Sequence, residues 1–357
     1  MTLSRQHLLG ALRAVEYPTR KPTMGQVALV RLCVGDGCLS AETVNESSRF
    51  TFGDSVTGRM ITARYSALFD AVSSAPADEL ILTDEGSRLR VACAKFHAFV
   101  AMEPADGWLE RKPQPVDSVL TLKSKSLAES LKFAIQCAYK ENGRPELESV
   151  ILSASGGTLT TGSSNGRVIA ISESECSEDG GARIHFKDAA EIVSRLEASS
   201  VALIGSTDRS TVVNCGFLRM EFAKPSTAID IVSHWRTRAL PGIGPEVASA
   251  TFQKKRLCQA MEYGRSVAGD TIPVVNLRIS SGLLNVCAKG DNGFMSDDIE
   301  VSQSTGSAEI SLSGKMIPPM LGAMCDETLR MAVHVDTPGA LFSNGSQTLF
   351  ACAMRAS

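Results

Sequence analysis

The sequence predicts an α+β protein built from three repeated domains, and three observations carry the prediction. A β-hairpin pattern recurs at intervals of 120 and 125 residues, a helical segment precedes each copy and another follows it, and two stretches rich in proline, glycine and charge separate the copies. A chain of 357 residues with 43% apolar side chains is long enough to fill three such cores.

The hairpins come first. Residues 27–43 (VALVRLCVGDGCLSAET), 148–164 (ESVILSASGGTLTTGSS) and 273–289 (PVVNLRISSGLLNVCAK) alternate apolar and polar side chains on both sides of a turn. Alternation of period two marks a strand with one buried face, and GDG, GG and SSG carry the glycine that such turns favour. The turn glycines Gly37, Gly157 and Gly282 set a repeat far longer than a solenoid unit and about as long as a domain.

A helical segment lies upstream of each hairpin, at 6–17, 126–140 and 254–268. Apolar residues there fall three and four apart, as in Leu127, Leu131, Ala134, Ile135 and Ala138, which stripes one helix face. Downstream lies a second helical segment, at 62–75, 186–198 and 313–325, where Pro318 and Pro319 should break or kink the last copy. Each repeat closes on further alternating strands. Linkers fit at 103–115 and 236–246, giving domains at 1–115, 116–241 and 242–357.

Composition removes several classes of function. No apolar run reaches the roughly 18–20 residues of a membrane span, and the N-terminal MTLSRQHLLGALRAVEY reads as an amphipathic helix rather than a signal peptide. A cytoplasmic protein is therefore expected. The ten cysteines are scattered without a CxxC pair, so they read as small core hydrophobes, and neither a metal site nor a cofactor is expected. The five histidines share no position among the repeats and no recurring serine or cysteine neighbour, and no GxxxxGK[ST] loop is present. A catalytic constellation is not expected, and the protein is read as a non-enzyme.

The repeats, the run RKPTM after the first helix, RPELESVILSASGGTLTTGSSNGRVIAI at 144–171, AEISLSGKMIPPMLGAMCDETLRMAV at 308–333 and the terminal FACAMRAS resemble the bacterial DNA polymerase III beta-subunit, or sliding-clamp, family. The likeness runs along almost the whole chain, with departures. Where the family has Thr-Asp-Gly-His-Arg-Leu-Ala, this chain has Ser164-Asn165-Gly166-Arg167-Val168-Ile169-Ala170, and where it ends Met-Pro-Met-Arg-Leu, this chain has Cys352-Ala353-Met354-Arg355-Ala356. The resemblance implies three clamp domains with two helices each on the inside and antiparallel sheets outside, and two chains joined head to tail in a ring around duplex DNA. It implies a processivity factor that tethers DNA polymerase and meets the clamp loader through short linear motifs. A monomeric clamp-like module that binds replication proteins without encircling DNA is the alternative.

Charge is segregated in a way that suits a ring. The first-helix segments 5–21, 123–144 and 252–270 hold thirteen basic and five acidic residues, a net +8 in a chain of net −3. Lysine and arginine on long stems attract phosphates without reading bases. The candidate DNA contacts are Arg20, Lys21, Lys132, Lys140, Arg144, Lys254 and Lys255. The resemblance also implies a partner-peptide groove between the second and third domains. Its walls would be Leu147, Ser164, Gly166, Arg167 and Ile169 on one side and Ile272, Ser313, Met316, Ala353, Met354 and Arg355 on the other. The homodimer contact would join Phe99 and Val100 to Val267.

Overall fold

The computed structural model describes residues 2–20, 27–35, 38–53, 58–104, 108, 116, 118–141, 143–196, 200–269, 273–280, 282–290 and 292–354. The first repeat runs β1 (Thr2–Ser4), α1 (Arg5–Ala14), β2 (Leu29–Gly35), β3 (Cys38–Val44), β4 (Ser48–Phe52), β5 (Arg59–Arg64), α2 (Tyr65–Ser73), β6 (Glu79–Asp84), β7 (Arg88–Cys93) and β8 (Phe96–Ala101). The second runs β9 (Ser118–Lys123), α3 (Ser124–Cys137), β10 (Ser149–Ser155), β11 (Thr158–Ser164), β12 (Val168–Glu175), β13 (Gly180–His185), α4 (Phe186–Leu196), β14 (Val201–Ser206), β15 (Ser210–Cys215) and β16 (Leu218–Ala223). A short helix, α5 (Ile231–His234), continues into a π turn over Trp235–Ala239. The third repeat runs β17 (Glu246–Gln253), α6 (Lys254–Ala268), β18 (Val274–Ser280), β19 (Leu283–Gly290), β20 (Gly293–Glu300), β21 (Gln303–Thr305), β22 (Ala308–Ser313), α7 (Ile317–Gly322), β23 (Thr328–His334), β24 (Gly339–Ser343) and β25 (Gln347–Cys352). The order strand, helix, four strands, helix, three strands thus occurs three times, and β21 is an insertion in the last copy.

The predicted hairpins are the pairs β2–β3, β10–β11 and β18–β19, all antiparallel. Gly157 and Gly282 both stand at φ +85, the left-handed backbone their turns require; Gly37 lies outside the described residues. In α3 the expected stripe is buried at Leu127, Leu131 and Ala134, Ile135 is half-buried, and Ala138 is buried one residue past the helix end. Pro318 and Pro319 do not break the last helix. They lie in the first turn of α7, where backbone N–H groups have no helical partner to lose.

Compactness divides the chain into two units, Met1–Val119 with Ala198–Lys224 and Leu120–Glu197 with Pro225–Ser357. The division does not follow the repeats, because strand pairing crosses from one repeat to the next.

In the first unit, β1-β6-β7-β8 form one sheet, and β5-β2-β3-β4-β16-β15-β14 run side by side in another. The β4–β16 step sets Ser48 opposite Phe222 and Phe52 opposite Leu218. Phe50 and Phe222 meet edge to face at 5.4 Å, and Tyr17 stacks on Phe50 at 5.4 Å. Each buried phenylalanine contributes about 1.5–3 kcal/mol by leaving water. Helices α1 and α2 pack side by side, and the Tyr65 hydroxyl donates to Leu12 O at 3.1 Å.

In the second unit the sheet order is β13-β10-β11-β12-β25-β24-β23-β17-β21, with β20-β19-β18-β22 as a second sheet. Here β12 meets β25, with Val168 opposite Ala351 and Ser172 opposite Gln347. One core runs from Phe133 and Cys137 of α3 through Val168 and Ala170 to Leu257, Met261, Leu321 and Phe342. A single apolar core therefore spans the repeat boundary.

Candidate partner groove and basic helix faces

The groove residues of the described chain all belong to the second unit and gather around the turn between β11 and β12. Ser164 Oγ donates to Val168 O at 2.6 Å and accepts from Gly166 N at 3.0 Å. Asn165 Oδ1 accepts from Arg167 N and Val168 N, both at 3.0 Å. These bonds close the turn, and Gly166 completes it at φ +84. A Cβ at Gly166 would stand 2.7 Å from Arg144 Nη1 and 3.5 Å from Leu147 Cδ1. The guanidinium of Arg144 therefore lies over this turn, which sets a candidate DNA contact beside the candidate groove residues.

From the third repeat comes Met316, whose sulfur lies 3.5 Å from Asn165 Nδ2 and whose backbone N–H donates to Ser313 Oγ at 3.2 Å. The chain after β25 is pinned by Cys352 N to Arg167 O at 2.9 Å, Ala353 N to Pro338 O at 2.8 Å and Met354 N to Ser311 O at 2.8 Å. Gly166, Arg167 and Ala353 are exposed, whereas Leu147, Ile169, Ser313, Met316 and Met354 are half-buried. Ser164 is buried within its turn, so it shapes the turn and offers no surface to a partner. Ile272 and Arg355 lie outside the described residues.

Sequence reading missed the contribution of the connecting segment. Ile169 packs with Ile151 against Ile231 and Val232 of α5 and against Ala228. Ile229 N donates to Glu146 O at 3.0 Å, beside Leu147, and Arg236 reaches the Thr160 hydroxyl. A signal was present: a tryptophan, Trp235, stands immediately before the stretch 236–246 assigned to a linker, and it is buried, as large aromatic residues in connections usually are.

The basic set divides by environment. Lys132, Lys140 and Lys255 are exposed on α3, just beyond its end, and on α6. Arg20 is exposed and pairs with Glu16 at 3.0 Å, and Lys21 lies outside the described residues. Lys254 departs from expectation: its Nζ donates to Met324 O at 2.6 Å, just beyond α7. Arg5, the corresponding first residue of α1, likewise donates to Val72 O and Ser73 O at the end of α2. Both cations donate to carbonyls at or just beyond the C-terminal end of a helix, where backbone acceptors have spare capacity. Arg256 is held by Asp297 through both carboxylate oxygens.

Among the dimer candidates, Phe99 is 52% exposed but Val100 only 3%. Alternation along β8 points Val100 into its own unit's core and Phe99 outward, with Arg88 4.3 Å from the Phe99 ring. Val267 is buried in the core of the second unit. Only Phe99 of the three is an accessible contact.

Among the described residues no three His, Cys, Asp or Glu side chains gather as metal ligands, and no helix is long and apolar enough to cross a membrane. His185 pairs with Glu148 at 3.1 Å and His334 Nδ1 lies 2.9 Å from Gly244 O, so these rings hold structure together.

Helix pairs beside antiparallel sheets, repeated three times and joined strand to strand, make the fold that of the bacterial DNA polymerase sliding clamps. The chain aligns with the DNA polymerase sliding clamp of Pseudomonas aeruginosa over 100% of its length and 99% of that chain, with a TM-score of 0.86 and 18% identity. The beta subunit from the DNA polymerase of Streptococcus pyogenes gives 0.89 at 12% identity, with 99% of both chains covered. A Pseudomonas aeruginosa sliding clamp bound to griselimycin gives 0.88 at 17%, covering 100% of this chain and 99% of that one. At such identities the likeness is one of fold. No family model and no curated protein matches the sequence.

Proposed function

We propose that this protein is a DNA sliding clamp, a processivity factor whose three clamp domains close with those of a second copy into a ring around duplex DNA. One observation carries the reading. Strands β4, β12 and β20 hold the same place in their repeats, as do β8, β16 and β25. Two of the three possible junctions are made within the chain, β4–β16 and β12–β25, while β20 and β8 each end their sheet.

Register extends the argument to residues. The Thr158–Glu175 pair of the second repeat corresponds to Leu283–Glu300 in the third, which puts Phe294 at the place of Ile169. Ser164–Ile169 corresponds to Val44–Arg49, and Cys215–Leu218 to Cys93–Phe96, which puts Phe99 at the place of Glu221. Since Arg49 faces Glu221, a β20–β8 junction between copies sets Phe294 opposite Phe99. Phe294 is 68% exposed, so the two open strands carry matching apolar residues, and an unpaired edge of this kind seeks a partner strand. Lys132, Lys140 and Lys255 then supply salt-screened attraction to phosphates.

The groove around Asn165, Gly166 and Met316 receives short linear motifs of DNA polymerase and the clamp loader, a glutamine followed by two spaced apolar anchors. The test is retention. Loaded by its clamp loader, the protein stays on nicked circular DNA and slides off once the circle is cut; equal retention on both forms excludes sliding. Sedimentation should give roughly 76 kDa, twice the 37.9 kDa chain. A monomer at micromolar concentration selects the second reading, a clamp-like module that binds replication proteins without encircling DNA. The engagement of Lys254 within the fold favours that reading, since it removes one of the seven candidate DNA contacts.

A further inference from the structure

Repeats one and two differ sharply at one equivalent place on their sheets. In the second repeat, Ile151, Gly162 and Ile169 form an apolar patch that α5 covers; a Cβ at Gly162 would stand 2.9 Å from Val232 and 3.0 Å from Ile231. The corresponding positions in the first repeat are Arg31, Glu42 and Arg49, and over them lies a cavity of about 460 Å³. Ligand sites commonly begin at roughly 300 Å³.

The chemistry of this cavity is specific. Arg31 and Glu42 face each other across β2 and β3, Glu42 faces Thr51, and Thr51 faces Arg219 of β16. Glu42 is the cavity's one carboxylate and pairs with Arg49. Among the described residues Arg31 and Arg219 have no carboxylate partner, and Arg31 is held 4.3 Å from the ring of Trp108. Guanidinium groups in a recess bind carboxylates through paired N–H donors. At the rim, Phe217 is 70% and Met60 63% exposed, which leaves apolar surface beside the cations.

We propose that this cavity is a docking site for an acidic peptide segment of a partner protein, with carboxylates bound by Arg31 and Arg219 and an apolar side chain laid against Phe217 and Met60. This site lies in the first unit, apart from the groove around Gly166, and does not depend on ring closure.

The test uses two fluorescein-labelled peptides, Asp-Asp-Leu-Phe-Asp and Lys-Lys-Leu-Phe-Lys, titrated against the full chain by anisotropy. The acidic peptide should bind at least about tenfold tighter than the basic one, and Arg219→Glu should reverse that order. Phe217→Ala should weaken the acidic peptide by about three- to tenfold. Arg278→Glu makes the same charge change on the exposed part of β18 and should leave both affinities as they were. Thermal unfolding of Arg219→Glu establishes that it is folded, and Phe217→Ala, at an exposed position, gives an independent reading. Equal binding of the two peptides by the wild type overturns the proposal, as does an equal effect of Arg278→Glu and Arg219→Glu.

Discussion

At the scale of single residues, the direction of one side chain separates contacts between copies from core. Phe99 and Val100 are neighbours on β8, yet one faces water and the other the core. Val100→Asp buries an unpaired carboxylate and should cost about 3–5 kcal/mol of stability, read as a fall in thermal midpoint. Phe99→Asp should leave the midpoint nearly unchanged while shifting sedimentation toward monomer. Lysines 254 and 255 make a second contrast. Lys254→Ala removes the group on Met324 O and should cost about 1–2 kcal/mol with no change in the salt dependence of DNA binding. Lys255→Ala should cost little stability and lower the slope of log affinity against log salt by about 1.

At the scale of elements, α5 shows how a connection becomes part of a packed sheet face. It reaches the sheet because Gly162 has no side chain. Gly162→Ala, with contacts of 2.9 and 3.0 Å, must push Val232 and Ile231 outward. The expected cost is about 1–3 kcal/mol, together with faster amide exchange in 228–236 and weaker binding of groove peptides. Buried and half-buried thiols give these elements a pH dependence. Burial raises Cys215 on β15 and Cys258 on α6 to about 11 from an ordinary 9.0, and it raises Cys137 on α3 as well. A folded-state pKa above the unfolded one stabilises fully below pH 9, and that contribution is lost as pH climbs toward 11. The urea midpoint should therefore fall between pH 8.5 and about pH 11, and Cys215→Ala should flatten that part of the curve.

At the scale of the whole molecule, ring closure can be tested by complementation. Phe99→Lys and Phe294→Glu should each sediment as monomers. Mixed in equal amounts, they should form a heterodimer, since one junction then pairs Lys with Glu and the other keeps Phe with Phe. Failure of the mixture, with both variants folded and monomeric, would remove the β20–β8 junction while leaving the fold as it is.

The repeats, the hairpins and the helix pairs were legible because period and turn chemistry are local: Leu127, Leu131 and Ala134 mark a helix face wherever the chain goes. The Asn165–Gly166 turn rests on the same local chemistry, whereas the groove proposed around it rests on the family resemblance. What the tertiary structure alone decided depends on partners distant in sequence. The segment FHAFVAM is apolar on both faces, so alternation separates Phe99 from Val100 without saying which one is buried. Lys254 reads as a free cation until α7 is seen to end beside it. Nothing in the local pattern says that β4 pairs with β16 or β12 with β25, since a strand edge accepts any complementary edge that the fold brings within reach. Those long-range pairings leave β20 and β8 open, and with them Phe294 and Phe99.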